Sequence, residues 1–331
     1  MLKKKFINIF KQRKRQPTGF TLIEVLTSTV IGGIIISALV YFMWQMLETN
    51  QEEFALAQTQ VEMDEALSYI KNELEEAVYV YEGECLTGRG QAGDQNYCYG
   101  LTKWINFPTN VTPVLAFWKI DKLPYRENPT TAQNLPSPDD CNNNDDCLNT
   151  LLNRSSYTLV VYSLSTENPN NIWNKNLARI TRYELRQFDP DDLARAVSSN
   201  PQRITQGWAD PTTNGRSFAS WPLASDGSVP SSRPQFRDVV LVDLVDSGSP
   251  PSPACPNGYS LTPPNALNFY FYACVEPYSL GNSQEVIVYL RGNAIERAGG
   301  QDIRNSPSYK PLVQTRVKTR AVFQRKPSSI K

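Results

Sequence analysis

One stretch without a charged residue, Val25–Leu47, constrains this chain most. About 20 consecutive apolar residues cross a bilayer as a helix, so the run reads as a membrane-spanning segment. A basic leader precedes it, with Lys3, Lys4, Lys5, Lys11, Arg13, Lys14 and Arg15 and no acid. Such a leader stays cytoplasmic and directs the bulk of the chain across the membrane. A secretory signal peptide is a poor match. Its apolar region would precede a small-x-small cleavage site, whereas this run ends Phe42-Met43-Trp44-Gln45-Met46-Leu47. A plain anchor leaves one residue unexplained. Glu24 stands among Phe20, Leu22, Ile23, Val25 and Leu26. A carboxylate there is costly in lipid without an opposite charge, and the apolar segment offers none.

Gly19-Phe20-Thr21-Leu22-Ile23-Glu24 resembles the class III leader of type IV pilins and type II secretion pseudopilins. The resemblance implies cleavage by a prepilin peptidase between Gly19 and Phe20, and N-methylation of Phe20. It also implies an assembly role for Glu24, whose carboxylate would neutralise the terminal ammonium of a neighbouring subunit. A buried carboxylate is tolerable beside such a partner. Major pilins often carry a kinking proline in this helix. None occurs here between Pro17 and Pro108, which points to a minor pilin or pseudopilin. Gly32-Gly33 lies inside the helix and suits either close packing or local loosening.

Beyond the apolar run, residues 48–82 are expected to continue the helix. No Pro or Gly occurs from Glu48 to Tyr81, and Phe54, Ala57, Val61, Leu67, Leu74, Val78 and Tyr81 recur at helical spacing. This face is expected to dock on a head, with Glu73, Glu75 and Glu76 on the solvated side and Gly83 ending the helix. From residue 83 the pattern turns to β. Strands are expected at Val114–Ile120, Tyr157–Ser165, Leu177–Phe188, Val239–Val245, Leu267–Val275, Glu285–Leu290 and Pro311–Phe323, with long loops over residues 124–156, 199–235 and 246–266. Two further passages, Met63–Ile70 followed by Glu76–Tyr81, and Val288–Ala294, are similar to hormogonium polysaccharide secretion pseudopilins of the HpsC type in cyanobacteria. Those are PilW-like minor pilins. That similarity implies a role in polysaccharide export and gliding.

Composition narrows the chemistry of the head. The chain has no histidine, the commonest general base and metal ligand. This weakens enzyme readings and leaves no recognisable catalytic motif. Without the leader, 26 basic residues (33 less its seven) face 33 acidic ones, a net charge of −7. That excludes a general nucleic-acid binder. Six cysteines lie beyond the membrane run, an even count that suggests disulfides in an oxidising space. Pairing is formally open, and local couples are expected: Cys85–Cys98, Cys141–Cys147 and Cys255–Cys274.

Asp139, Asp140, Asp145 and Asp146 surround the Cys141–Cys147 couple and are a calcium candidate. They lack the EF-hand order, which favours a polar pinned loop. Arg316, Lys318 and Arg320 share one strand face, with Arg325 and Lys326 beyond. They would suit a polyanion, or simply guard a sheet edge. Tryptophans and tyrosines in the long loops could stack on sugars or anchor the loops.

The expected fold is α+β and type IV pilin-like, a long N-terminal helix packed on a large β-rich head. Its parts are a cleaved leader (1–19), a transmembrane and filament-core helix (20–47), an amphipathic continuation (48–82) and a disulfide-bonded extracytoplasmic head (83–331). The reading calls for no cofactor. The partners implied by the resemblance are prepilin peptidase, other pilins or pseudopilins, an inner-membrane assembly platform and an exported polysaccharide. The protein would sit in the inner membrane with its N-terminus cytoplasmic, then reach a surface filament.

Overall fold

The computed structural model describes residues 19–320, apart from residue 95 and residues 126–133, 169–170, 174–176, 249–252, 266–269, 280–281 and 300–306. The leader cations, Arg325 and Lys326, and the outer ends of the strands expected at Leu267–Val275 and Pro311–Phe323 lie outside the described residues. The chain divides into two compact units, residues 1–53 and 54–331.

In the first unit the described chain is helical from Leu22 onward, as part of the helix α1, Leu22–Glu75. Its most apolar window has a mean hydropathy of 2.1, and none of it is buried. A helix that is apolar on every side and bare on every side belongs in lipid or among other helices. Its hydroxyls are satisfied internally: Ser28 and Thr27 donate to the Glu24 carbonyl, and Ser37 donates to that of Gly33. The helix runs unbroken through Gly32-Gly33.

In the second unit the remainder of α1 buries Ala55, Thr59, Met63, Ala66, Leu67, Ile70, Glu73 and Leu74. This is a true 3.6-residue stripe. It differs from the expected face, because Phe54 is 67% and Val61 54% exposed. Leu67 and Leu74 lie on the docked side, whereas Phe54, Ala57 and Val61 lie off it. The docked side also uses small residues that hydropathy does not flag.

Two antiparallel sheets close on this stripe. The first has the order β1 (Ala77–Val80), β2 (Val111–Lys122), β3 (Ser155–Ser165), β4 (Ala178–Leu185) and β5 (Asp238–Val245). The second runs β6 (Ser260–Thr262), β7 (Phe271–Val275), β8 (Glu285–Arg291) and β9 (Leu312–Lys318). One core joins Met63, Ile70 and Leu74 to Phe117, Tyr162 and Ile180 of the first sheet and to Phe271, Val288 and Leu290 of the second.

The helix ends earlier than expected. Glu75 closes it, and Ala77–Val80 pairs with β2 as an edge strand. Val78, Tyr79 and Val80 fit a pleated buried surface better than a helix. Gly83 then opens the short helix α2, Gly83–Thr87, rather than closing α1. A Cβ on Gly83 would lie 1.9 Å from the Leu261 carbonyl oxygen, so the close approach of β6 requires glycine.

The free side of β1 is completed by a side chain. Gln284 accepts from the Val80 N–H at 2.8 Å and donates to the Val80 carbonyl at 3.0 Å. The amide acts as a surrogate peptide between the two sheets.

The long segment 199–235 forms a wall on the outer face of the first sheet. Trp208 and Trp221 are buried there against Trp118, with Trp104 beside them. Each indole N–H has a defined acceptor: Gly207, Ala209 and Tyr157 carbonyls for Trp104, Trp221 and Trp208, and the Tyr81 hydroxyl for Trp118. These loop tryptophans are therefore anchors and are not available to stack on sugars. The segment 124–156 carries α4, Asp145–Asn153, and 246–266 carries β6. Two further short helices, α3 (Leu101–Trp104) and α5 (Leu193–Ser198), complete the named elements.

Gly83→Ala is expected to destabilise the head by about 1–3 kcal/mol, because backbone rather than a flexible side chain blocks the added methyl. A lowered urea midpoint at unchanged slope would register it.

Candidate functional site

The chain enters α1 through a short non-helical segment. Gly19, Phe20 and Thr21 precede the helix, and the Thr21 carbonyl accepts its first bonds, from the Glu24 and Val25 N–H groups at 3.0 and 3.2 Å. The Gly19–Phe20 bond thus lies outside the helix, with Phe20 78% exposed. Nothing lies within 4 Å of where a Gly19 Cβ would be. Packing among the described residues gives no reason for glycine there. Glu24 falls in the first helical turn, where a carboxylate is favoured by the helix dipole. Its carboxylate has no partner among the described residues.

The three local cysteine couples are bonded in the head: Cys85–Cys98, Cys141–Cys147 and Cys255–Cys274. The four aspartates around the second do not gather into a metal cluster among the described residues. Asp140 is taken up locally, accepting from the Ser137 N–H at 2.8 Å and the Ser137 hydroxyl at 2.7 Å. Asn144 caps α4 by accepting from the Asp146 N–H. Asp139, Asp145 and Asp146 remain exposed. Arg316, Lys318 and Arg320 are exposed on one side of β9 and just past its end, and Arg316 Nε lies 2.9 Å from Glu285.

The strongest electrostatic centre lies elsewhere and corrects the expectation of a solvated acidic face. Glu73 is buried, facing the first sheet. Lys119 Nζ on β2 lies 2.8 Å from Oε1, and Arg182 on β4 donates to both oxygens, at 2.8 and 2.9 Å. The Tyr162 hydroxyl on β3 also donates to Oε2. Asp121 and Glu184 extend the network through Lys119 and Arg182. Burial pushes the Glu73 carboxyl up, but the hydrogen bonds and charge of Arg182 and the charge of Lys119 outweigh it and hold the group down at about 2. Burial and the adjacent carboxylate together drive the Tyr162 phenol well above its usual range.

Sequence reasoning missed Glu73 because one acid among Glu75 and Glu76 looks like its neighbours. The signal was its phase, three residues after Ile70 and next to Leu74 on the buried stripe. The centre is buried and its charges satisfy one another across three strands, which fixes the helix against the sheet.

A family description, the prokaryotic N-terminal methylation motif, matches residues 14–40. No curated protein and no solved structure matches the chain. The motif supports the type IV pilin or pseudopilin class. The long apolar helix leading into antiparallel sheets is consistent with a pilin fold.

The carboxyl of Glu73 titrates lower in the folded head than its ordinary value of 4.5. Its stabilisation is therefore fully present above about pH 4.5 and is lost as pH falls toward 2. Acid unfolding of the wild type should show a loss on the order of 3 kcal/mol across that window. Glu73→Gln should start less stable, by about 3–5 kcal/mol, and show a flatter acid profile, followed by near-UV circular dichroism.

Proposed function

We propose that this protein is a minor pilin or pseudopilin that enters, primes or caps a type IV pilus-like or type II secretion-like filament. The observation that carries this reading is the methylation-motif match, on a glycine that no described contact requires, followed by a helix bare on every side. The precursor sits in the inner membrane with its leader cytoplasmic and its head in the periplasm. Prepilin peptidase cuts after Gly19 and methylates Phe20. The apolar half of α1 then exchanges lipid for neighbouring helices, and Glu24 meets the terminal ammonium of an adjacent subunit. The disulfides support an oxidising location for the head. The work is done by packing rather than catalysis.

The resemblance to the HpsC type extends the proposal to polysaccharide export and gliding. In this reading the partners are the peptidase, other pilins and the inner-membrane assembly platform.

Gly19→Leu should leave a full-length precursor in the membrane, heavier than the mature chain by residues 1–19, as read by intact mass. Maturation to the wild-type mass would refute the assignment of the cut. Glu24→Val should still be cut but should not enter filaments, as read by shearing and immunoblotting.

A further inference from the structure

The outer face of the second sheet has a composition that the packing of the head does not explain. Its inner side chains fill the core, while Tyr272, Tyr289 and Gln314 form one outward row across β7, β8 and β9. The two tyrosine rings stack with centroids 4.7 Å apart and planes 15° from parallel. Both are part-exposed, and Gln314 is exposed. Neither phenol hydroxyl nor the Gln314 amide has a protein partner among the described residues. The buried tryptophans of the head contrast with this, since each has a bonded indole.

Beside this row run Arg316, Lys318 and Arg320. Residues on the same side of a strand recur every ~7 Å, so Arg316 and Lys318 form a ladder along the sheet edge, which Arg320 follows just past the end of β9. Glu285 holds Arg316 at 2.9 Å, yet the Arg316 side chain remains 65% exposed. Lys318 and Arg320 have no ion-pair partner among the described residues. Without its leader the chain carries a net charge of −7, so the ladder is a local reversal of sign.

We infer that this face binds a linear anionic polysaccharide, one bearing carboxylate groups along an extended chain. The inference rests on the reading of the head as an export-associated, extracytoplasmic one. The ladder meets the acid groups, with guanidinium groups suited to planar carboxylates, while Tyr272, Tyr289 and Gln314 offer hydrogen bonds to sugar hydroxyls. An exposed edge strand with cations along one side suits an extended polymer better than a compact ligand, which needs a concave site.

The test uses the processed full chain in non-ionic detergent, with alginate as the polyuronate, dextran as the neutral glycan and poly-L-glutamate as the acidic polypeptide. Alginate should be retained, dextran should not, and retention should weaken with salt. Lys318→Gln with Arg320→Gln should lower alginate affinity about tenfold, the equivalent of about 1.4 kcal/mol, and flatten its salt dependence. Gln314→Ala and Tyr289→Phe should each lower it a few-fold while leaving the salt dependence and the unfolding midpoint in place.

Absence of alginate binding, or equal retention of dextran, overturns the proposal. Equal binding of poly-L-glutamate, with Gln314→Ala and Tyr289→Phe silent, also overturns it and assigns the face to an acidic protein surface. The cut after Gly19 is read separately by mass, so failure here leaves the pilin reading standing, and failure there leaves the binding result intact.

Discussion

The head depends on a single helical stripe, Ala55 to Leu74, against which both sheets are built. Dispersion and burial supply most of the attraction along it, but apolar contact alone would let a helix slide or rotate. The Glu73 centre removes that freedom. Its carboxylate is satisfied only when Arg182, Lys119 and Tyr162, on three adjacent strands, converge on one point. Removing a partner from such a buried pair is far costlier than never having built it. The centre therefore acts mainly as a device for register. Further toward the N-terminus, Gly292 admits the helix, since a Cβ there would lie 2.8 Å from Thr59 and 2.9 Å from Met63. Arg297 pairs with Glu62 in the same region. The docked part of α1 is held by a charge near one end and a notch near the other.

Much of this was legible from residues alone. The apolar run announces its helix locally, and the central strands announce themselves by β-branched and aromatic content. The boundaries at α1 were less visible. Residues 77–80 continue a stretch free of Gly and Pro, and only pairing with β2 and the Gln284 amide turns them into a strand. β6 is three residues long and sits in a proline-rich segment, below what any period can reveal. The buried role of Glu73 depends on groups more than 40 residues away in sequence, at Lys119, Tyr162 and Arg182. The outward tyrosine row likewise exists only once β7, β8 and β9 are in register.

The two sheets meet the demands of one core in different ways. The first is covered on both faces, by the helix on one side and by the tryptophan wall on the other. The second is covered on its inner face and, at Cys274 and Ile287, on part of its outer face, where aromatic, amide and cationic side chains also stand. Both sheets hold the helix, the first through the Glu73 centre and the second through its apolar inner face.

The wall of indoles has an optical consequence. Of the six tryptophans in the chain, Trp104, Trp118, Trp208 and Trp221 belong to this one buried cluster, and Trp44 lies on the apolar helix. Four of the five tryptophans of the head thus sit in one buried cluster, Trp173 being the part-exposed fifth, and two of the four, Trp208 and Trp221, belong to the irregular covering. A red shift of the cluster's emission would report peeling of that covering from the first sheet, even while the helix and its stripe remain docked.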